Sequence, residues 1–227
     1  MKSEEYGSVD YYYENVYSHV VGNQTLGTSR FLSAYPHLLL EAPFRDNIGK
    51  SVLEIGSGEN EHFPFVAHNF SKYVAIDIKK PKSIPLDPRF QYIRGNVEKL
   101  PFKDSSFDRV IATCLLLHLD NPEIALEEIR RVVASNGFVS IYLPTEPSIV
   151  LRLIRNIYSA KRAKALGFHG YKLFIARDHV TYFSRVLELI RFIFREDSVT
   201  YRYRPIPLRT WYLNAFCIIQ IRIDAKK

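Results

Sequence analysis

The feature that most constrains this chain is a short apolar segment that runs straight into a glycine-punctuated turn. Residues 51–60 read Ser51-Val52-Leu53-Glu54-Ile55-Gly56-Ser57-Gly58-Glu59-Asn60. Val52, Leu53 and Ile55 form a brief apolar run of the kind buried on both faces of a parallel sheet. Glu54 is the one charge inside it. Gly56 and Gly58 carry no Cβ, so the backbone can bend sharply and a ligand can come close. The residues that follow predict a short helix, capped by Asn60 and turning Phe63, Val66 and Phe70 inward. Its first-turn N–H groups would face the same ligand.

Gly-x-Gly spacings also occur in ordinary loops. This one gains meaning from Tyr73-Val74-Ala75-Ile76-Asp77, a second buried strand that ends in an acid. Asp77 lies about 20 residues beyond the turn, where a carboxylate accepts the hydroxyls of a bound ribose. Strand, glycine turn, helix, strand and terminal acid together predict a nucleoside-binding half-fold.

The same alternation continues. Residues 90–94 and 108–113 read as the third and fourth strands, with a proline-broken crossover at Pro81, Pro85 and Pro88 that excludes a regular helix. Pro122 suits the first position of a helix that Asn136-Gly137 stops, and residues 138–142 form the fifth strand. Strands alternating with helices predict a parallel sheet covered on both faces. Ahead of the first strand, Arg30 to Glu41 reads as a helix that Pro36 kinks or begins. It suits a flap over a ligand or a plain packing helix equally, and Arg30 on it could meet a carboxylate.

A length of 227 residues suits one domain with a large core. Cys114 and Cys217, far apart in sequence, predict no disulfide framework and a cytoplasmic address. The polar start, Met1-Lys2-Ser3-Glu4, is unlike a signal peptide, and no apolar run approaches the roughly 18 residues of a membrane span. The net charge of +7 is uneven: residues 145–227 hold 16 Lys and Arg against 6 Asp and Glu, an excess of +10, and the rest carries −3. Such a surface suits anionic substrates, nucleic acid or lipid headgroups, or is simply solvated.

Taken in order, these segments resemble the class I S-adenosylmethionine-dependent methyltransferases, of the generic small-molecule type. Val52-Leu53-Glu54-Ile55-Gly56-Ser57-Gly58 is similar to that family's first motif, and Val74-Ala75-Ile76-Asp77-Ile78 to its ribose-binding strand. Asn96-Val97-Glu98-Lys99-Leu100-Pro101-Phe102 resembles its adenine-contact segment, and residues 106–112 with Leu117-His118-Leu119 resemble its fourth strand and exit. The resemblance implies an α/β, Rossmann-like three-layer sandwich on a seven-stranded, mostly parallel sheet with a C-terminal antiparallel hairpin strand. It implies an N-terminal helical flap over residues 1–48 and a methyltransferase domain over 49–227, with a basic helical insertion at about 147–177.

It also implies S-adenosyl-L-methionine as cofactor. Gly56, Ser57 and Gly58 would let the methionine part approach the backbone, and Glu54 would orient its amino group. Asp77 would take the ribose hydroxyls and Ile78 would pack on adenine. Asn96 would meet the adenine amino group, Val97 N–H a ring nitrogen, and Thr113 and Cys114 would present backbone groups to the methionyl ammonium. Two positions depart from the family: Asn60 where a third glycine is usual, and Asn96 where an aspartate is usual. An amide oxygen still accepts from an amino group.

Methyl transfer to a hydroxyl needs a base. His118, His169 and His179 are the candidates, with His118 and His179 preferred as catalytic residues. No Cys/His ligand spacing occurs along the chain, so no metal site is expected. Thr113-Cys114-Leu115-Leu116 stands where an adenine or glutamine amino-methyltransferase would carry Asn/Asp-Pro-Pro-aromatic, and no Pro-Cys nucleophile is present. The expected acceptor is a small molecule, sugar- and lipid-linked ones included, methylated on O or N. An RNA methyltransferase and a non-catalytic SAM-binding partner subunit are the rival readings; a nucleic acid partner is disfavoured. Residues 149–164 form an amphipathic basic helix, read as a lid, a peripheral membrane contact or an ordinary packed helix. A further helix capped by Ser184 and two last strands, 199–203 and 214–223, close the chain.

Overall fold

The computed structural model describes residues 7–20, 28–44 and 50–224, with the backbone alone for 28–32. Residues 21–27 and the side chain of Arg30 lie outside the described residues. Seven strands make one sheet: β1 (Ser51–Ile55), β2 (Lys72–Asp77), β3 (Phe90–Arg94), β4 (Phe107–Thr113), β5 (Val133–Pro144), β6 (Ser198–Arg204) and β7 (Phe216–Arg222). Their order is β3-β2-β1-β4-β5-β7-β6. The first five pair in parallel, and β7 joins β5 and β6 antiparallel. The chain thus reverses its direction of winding between β1 and β4. Their carboxyl ends flank a crevice, the usual ligand position in open α/β sheets.

Strand alternation divides the core. Leu53, Ile55, Val74, Ile76, Val110, Ala112, Val139 and Ile141 pack on one face beneath α4 (Pro122–Val132) and α8 (Phe183–Ile193). Val52, Tyr73, Ala75, Ile111 and Ile218 pack on the other, beneath α3 (Thr28–Glu41). Three layers result. Helix α3 is therefore a packing helix, with Pro36 inside it and Leu40 fully buried.

Two short helices at the start, α1 (Val9–Asn15) and α2 (Tyr17–Val20), lie elsewhere. They pack Tyr12, Val16 and Val20 against Phe168 and against Phe174 of α7 (Tyr171–Asp178), where Tyr12 and Phe174 stack at 3.9 Å. The basic insertion is a continuous helical run: α5 (Ile149–Ile154), one π turn (Arg155–Ser159) and α6 (Ala160–Ala165).

Three local expectations fail, the first being the stop of α4 at Asn136-Gly137, since that helix ends at Val132 and β5 begins at Val133. No α-helix follows the glycine turn: residues 63–65 make a single 3₁₀ turn. A helix there would hold Pro64 in its interior. Phe63 instead packs edge-on to Phe90 at 4.8 Å and Tyr73 at 5.0 Å. Asn60 is no cap; it is left-handed (φ 61) and its Nδ2 donates to Ser83 O at 3.1 Å. Nor does Ser184 cap α8: that position is Tyr182, whose side chain makes no capping bond, and Ser184 lies in the first turn.

Candidate active site

The crevice begins at the glycine turn. Gly56 (φ 63) donates its N–H to Ile76 O at 2.8 Å, and a Cβ there would lie 2.6 Å from Leu115 Cδ1. Glycine is required for both the angle and the space. Gly58 (φ 52) faces open space, with nothing within 4 Å of where its Cβ would stand. Its N–H donates to Asp77 Oδ2 at 2.9 Å, and Asp77 Oδ1 accepts Lys79 N–H at 2.8 Å. Two backbone donors thus aim the carboxylate, and each oxygen keeps a lone pair for a ligand hydroxyl. Ile78, the next residue, is 61% exposed and offers an apolar platform.

Behind the turn lies Glu54, fully buried. Its Oε2 accepts the Tyr73 hydroxyl at 2.8 Å, and its Oε1 has no partner among the described residues. Burial pushes its pKa up to about 8, against the Tyr73 hydrogen bond and with help from the Glu61 and Asp77 carboxylates. The buried Ser57 hydroxyl likewise has no partner among the described residues. An orphaned carboxylate oxygen beside the Gly56–Gly58 turn suits an ammonium group, as Asp77 suits a diol. These residues fit an adenosyl amino acid.

The other expected contacts ring this crevice. Gly95 N–H donates to Asp77 O at 2.9 Å, which sets the end of β3 beside β2. Asn96 is exposed there and its Oδ1 caps the next turn through Glu98 N–H at 2.9 Å, while the Val97 side chain is buried. Thr113 ends β4. Cys114 follows in a left-handed conformation (φ 57), with its N–H on Tyr142 O at 3.0 Å. Burial pushes the Cys114 thiol up to about 12, so it stays protonated.

On the β4–β5 side, His118 and His179 come together, ring centroids 4.7 Å apart and nearly perpendicular. Each has a carboxylate at its Nδ1. His118 Nδ1 lies 3.1 Å from Asp178 O and 3.3 Å from Asp178 Oδ2. His179 Nδ1 meets Glu146 Oε2, which also receives Arg155 Nη1 at 2.5 Å. Burial opposes ionisation of both acids. The His179 hydrogen bond and the Arg155 charge still hold Glu146 down to about 2, and His118 holds Asp178 below the usual range. Burial keeps His179 low, and hence neutral. A carboxylate beside each Nδ1 favours a proton there, which leaves His118 Nε2 as an acceptor, while His179 Nε2 faces Asp178 Oδ2 at 3.8 Å. His169 is exposed on its loop and outside this pair.

The α1–α2 strap crosses above both halves. Tyr13 donates to Asp178 Oδ2 at 3.0 Å and Tyr17 to Glu61 Oε2 at 2.8 Å. Lys79 pairs with Asp10 at 2.8 Å, and Lys82 donates to Glu14 O at 3.2 Å. Burial first, then the adjacent carboxylates, raise both phenols, which therefore donate rather than ionise.

Sequence reasoning pointed at both histidines but passed over Tyr13, Tyr17, Glu61, Glu146 and Asp178. The acid–histidine pair Asp178-His179 and the dense tyrosines of the first turns were the available signals. Along the chain no ligand spacing was visible, yet the fold brings ligand atoms of His118, Asp178 and His179 within 4.8 Å of one another, close enough for a cation.

Residues 53–141, which contain Gly56, Gly58, Asp77, Asn96 and His118, match the family model described as a methyltransferase domain. That match covers less than half of the chain and takes in the strands that flank the crevice. The chain is 33% identical over 93 residues to the ubiquinone/menaquinone biosynthesis C-methyltransferase UbiE of Coxiella burnetii, covering 40% of this chain and 35% of that protein. It is 30% identical over 130 residues to the demethylmenaquinone methyltransferase of Chlamydia felis, 52% of this chain and 55% of that one. The matches thus span about a third to about half of these curated relatives. Among solved structures, the plantazolicin methyltransferase BpumL in complex with SAH superposes with a TM-score of 0.65 at 12% identity, over 97% of this chain and 93% of that one; at that identity it speaks for the fold alone.

Proposed function

We propose that the whole chain is an S-adenosylmethionine-dependent methyltransferase acting on a small-molecule acceptor with a proton to lose. The observation that carries this reading is the Gly58–Asp77 hydrogen bond with the orphaned Glu54 oxygen behind it. It supports one crevice that takes a diol and an ammonium together.

When bound, the cofactor supplies a methyl group already activated on a sulfonium. The chain's own residues do the rest. Asp77 holds the ribose end and Glu54 the amino end, while Gly56 leaves room for the backbone to follow. The strap of α1 and α2 excludes water above the crevice. His118 Nε2, with Nδ1 set by Asp178, takes the acceptor's proton, and His179 with Glu146 stands beside it as a second acceptor. The sequence reading favours oxygen or nitrogen as the methylated atom. The C-methyltransferase name of the Coxiella relative adds a third option, a ring carbon made nucleophilic by ionising a neighbouring hydroxyl.

Calorimetric titration with S-adenosylhomocysteine tests the cofactor half. The wild type is expected to bind one equivalent, and Asp77→Ala to lose most of the affinity. Equal binding by both would remove Asp77 from the site and the reading with it.

A further inference from the structure

The helical run from Ile149 to Ala165 has an outward face that none of the described residues covers. Val150 and Leu151 pack inward on the sheet, and Ala163 packs inward beside Phe168. Ile149, Leu153 and Ile157, spaced by four, are 58%, 53% and 62% exposed. Leu208, Tyr212 and Leu213 extend the patch, since Ile149 N–H bonds to Tyr212 O at 3.0 Å and all three are exposed. Contiguous apolar exposure of this kind marks a contact surface.

The charge around it is of one sign. Residues 147–177 hold seven Lys and Arg and no acid. Arg155 turns in to Glu146 through the π turn, whereas Arg152, Lys161, Lys164 and Lys172 are exposed. Apolar side chains with a cationic border match an anionic lipid interface, where the first enter the acyl boundary and the second meet phosphates.

This surface adjoins the catalytic pair. A cavity of about 530 Å³ lined by His179, Val180 and Trp211 and one of about 260 Å³ lined by Arg152, Arg155 and Asn156 share Glu146, Pro147, Lys172 and Ile175. Together they lead from His179 to the base of the exposed helix face.

We propose that the 149–165 helix docks on an anionic lipid bilayer, and that the methyl acceptor is a lipophilic molecule of that bilayer whose polar head enters beside His179. The acceptor half rests on the methyltransferase reading; the docking half does not.

The test is flotation of the full chain with vesicles of phosphatidylcholine alone or mixed with phosphatidylglycerol. Binding is expected to the mixed vesicles, to fall as salt is raised, and to weaken by about tenfold or more in Leu153→Glu/Ile157→Glu. S-adenosylhomocysteine affinity should be unchanged in that variant, showing an intact fold. No binding to anionic vesicles, or equal binding by the variant, overturns the docking. So does a dimer, seen by light scattering, that the variant dissolves, because a second copy then covers the face. For the acceptor, labelled methyl from S-adenosylmethionine, incubated with a total membrane extract, is expected in the organic-soluble fraction. Label confined to the aqueous fraction overturns that half. Failure of the wild type to bind S-adenosylhomocysteine would sink the methyltransferase reading and leave vesicle binding standing.

Discussion

Two clusters of buried charge lie on opposite sides of β4 and β5, and they are built on opposite plans. Beneath the sheet, Arg109 is fully buried and forks onto Glu41, at 2.9 and 2.7 Å, with its Nε on Ser140 Oγ at 3.0 Å and its guanidinium over the Phe44 ring. Glu41 also receives His62 Nε2 at 2.9 Å and Ala67 N–H at 3.1 Å. His62 Nδ1 in turn shares a hydrogen with His37 Nδ1 at 2.8 Å. Both Glu41 oxygens and both His62 ring nitrogens have partners inside the protein. At the crevice, the His118–Asp178 and His179–Glu146 pairs are partly open, and His179 Nε2 has only a long contact of 3.8 Å to Asp178 Oδ2. A buried carboxylate with both oxygens held suits a cluster that holds the fold; His179 and Glu146 lining a cavity suit one that acts.

Substitution separates the two plans most sharply. Glu41→Leu strands Arg109 in the core and is expected to cost about 3–5 kcal/mol in urea unfolding. Asp178→Asn should cost about 1–2 kcal/mol by the same measurement, since water can reach its partners. Equal losses would erase the distinction. Next in size is the cofactor crevice, where Asp77→Ala should weaken S-adenosylhomocysteine about 100-fold by loss of two charged hydrogen bonds.

A smaller effect concerns Glu54. In the free protein its carboxyl keeps a proton up to about pH 8, and an incoming ammonium favours the ionised form. Binding therefore releases a proton, and S-adenosylhomocysteine affinity should rise with pH, by at most about tenfold per unit, and flatten above about 8. Glu54→Gln should bind more weakly and lose this slope; a slope unchanged in that variant would assign the proton elsewhere. The smallest expected effect is that of chelation. Both imidazoles already have carboxylates at Nδ1, so exhaustive EDTA treatment should leave the melting temperature unchanged. A fall would show a cation seated among His118, Asp178 and His179.

The sheet was legible because its signals are local. Buried parallel strands such as 52–55 and 73–76 announce themselves by apolar runs, and Gly56 and Asp77 by their spacing. The helix expected after Gly58 was misread because a period-like set of aromatics, Phe63, Val66 and Phe70, also suits a coil pressed onto Tyr73 and Phe90, and Pro64 decides between them. The acidic partners of the histidines were invisible for another reason. Glu146 and His179 are 33 positions apart, and Tyr13 and Asp178 are 165 apart, so only the closed fold makes them neighbours. A motif reading also sees no reason for Arg109 inside a strand, since its counter-charge comes from a helix preceding the first strand.

That last pairing has a consequence for how the chain is made. Leu40 O accepts Gln220 Nε2 at 2.9 Å, and Gln220 Oε1 accepts the Ser140 hydroxyl that also holds Arg109. The helix carrying Glu41 emerges from the ribosome well before Gln220, the polar partner of Leu40, which is 180 residues further on. At a synthesis rate of about 5–20 residues per second, that helix waits on the order of ten seconds or more before its seat is complete. Any nascent or truncated chain lacking β7 presents an unfinished polar seam to chaperones and proteases.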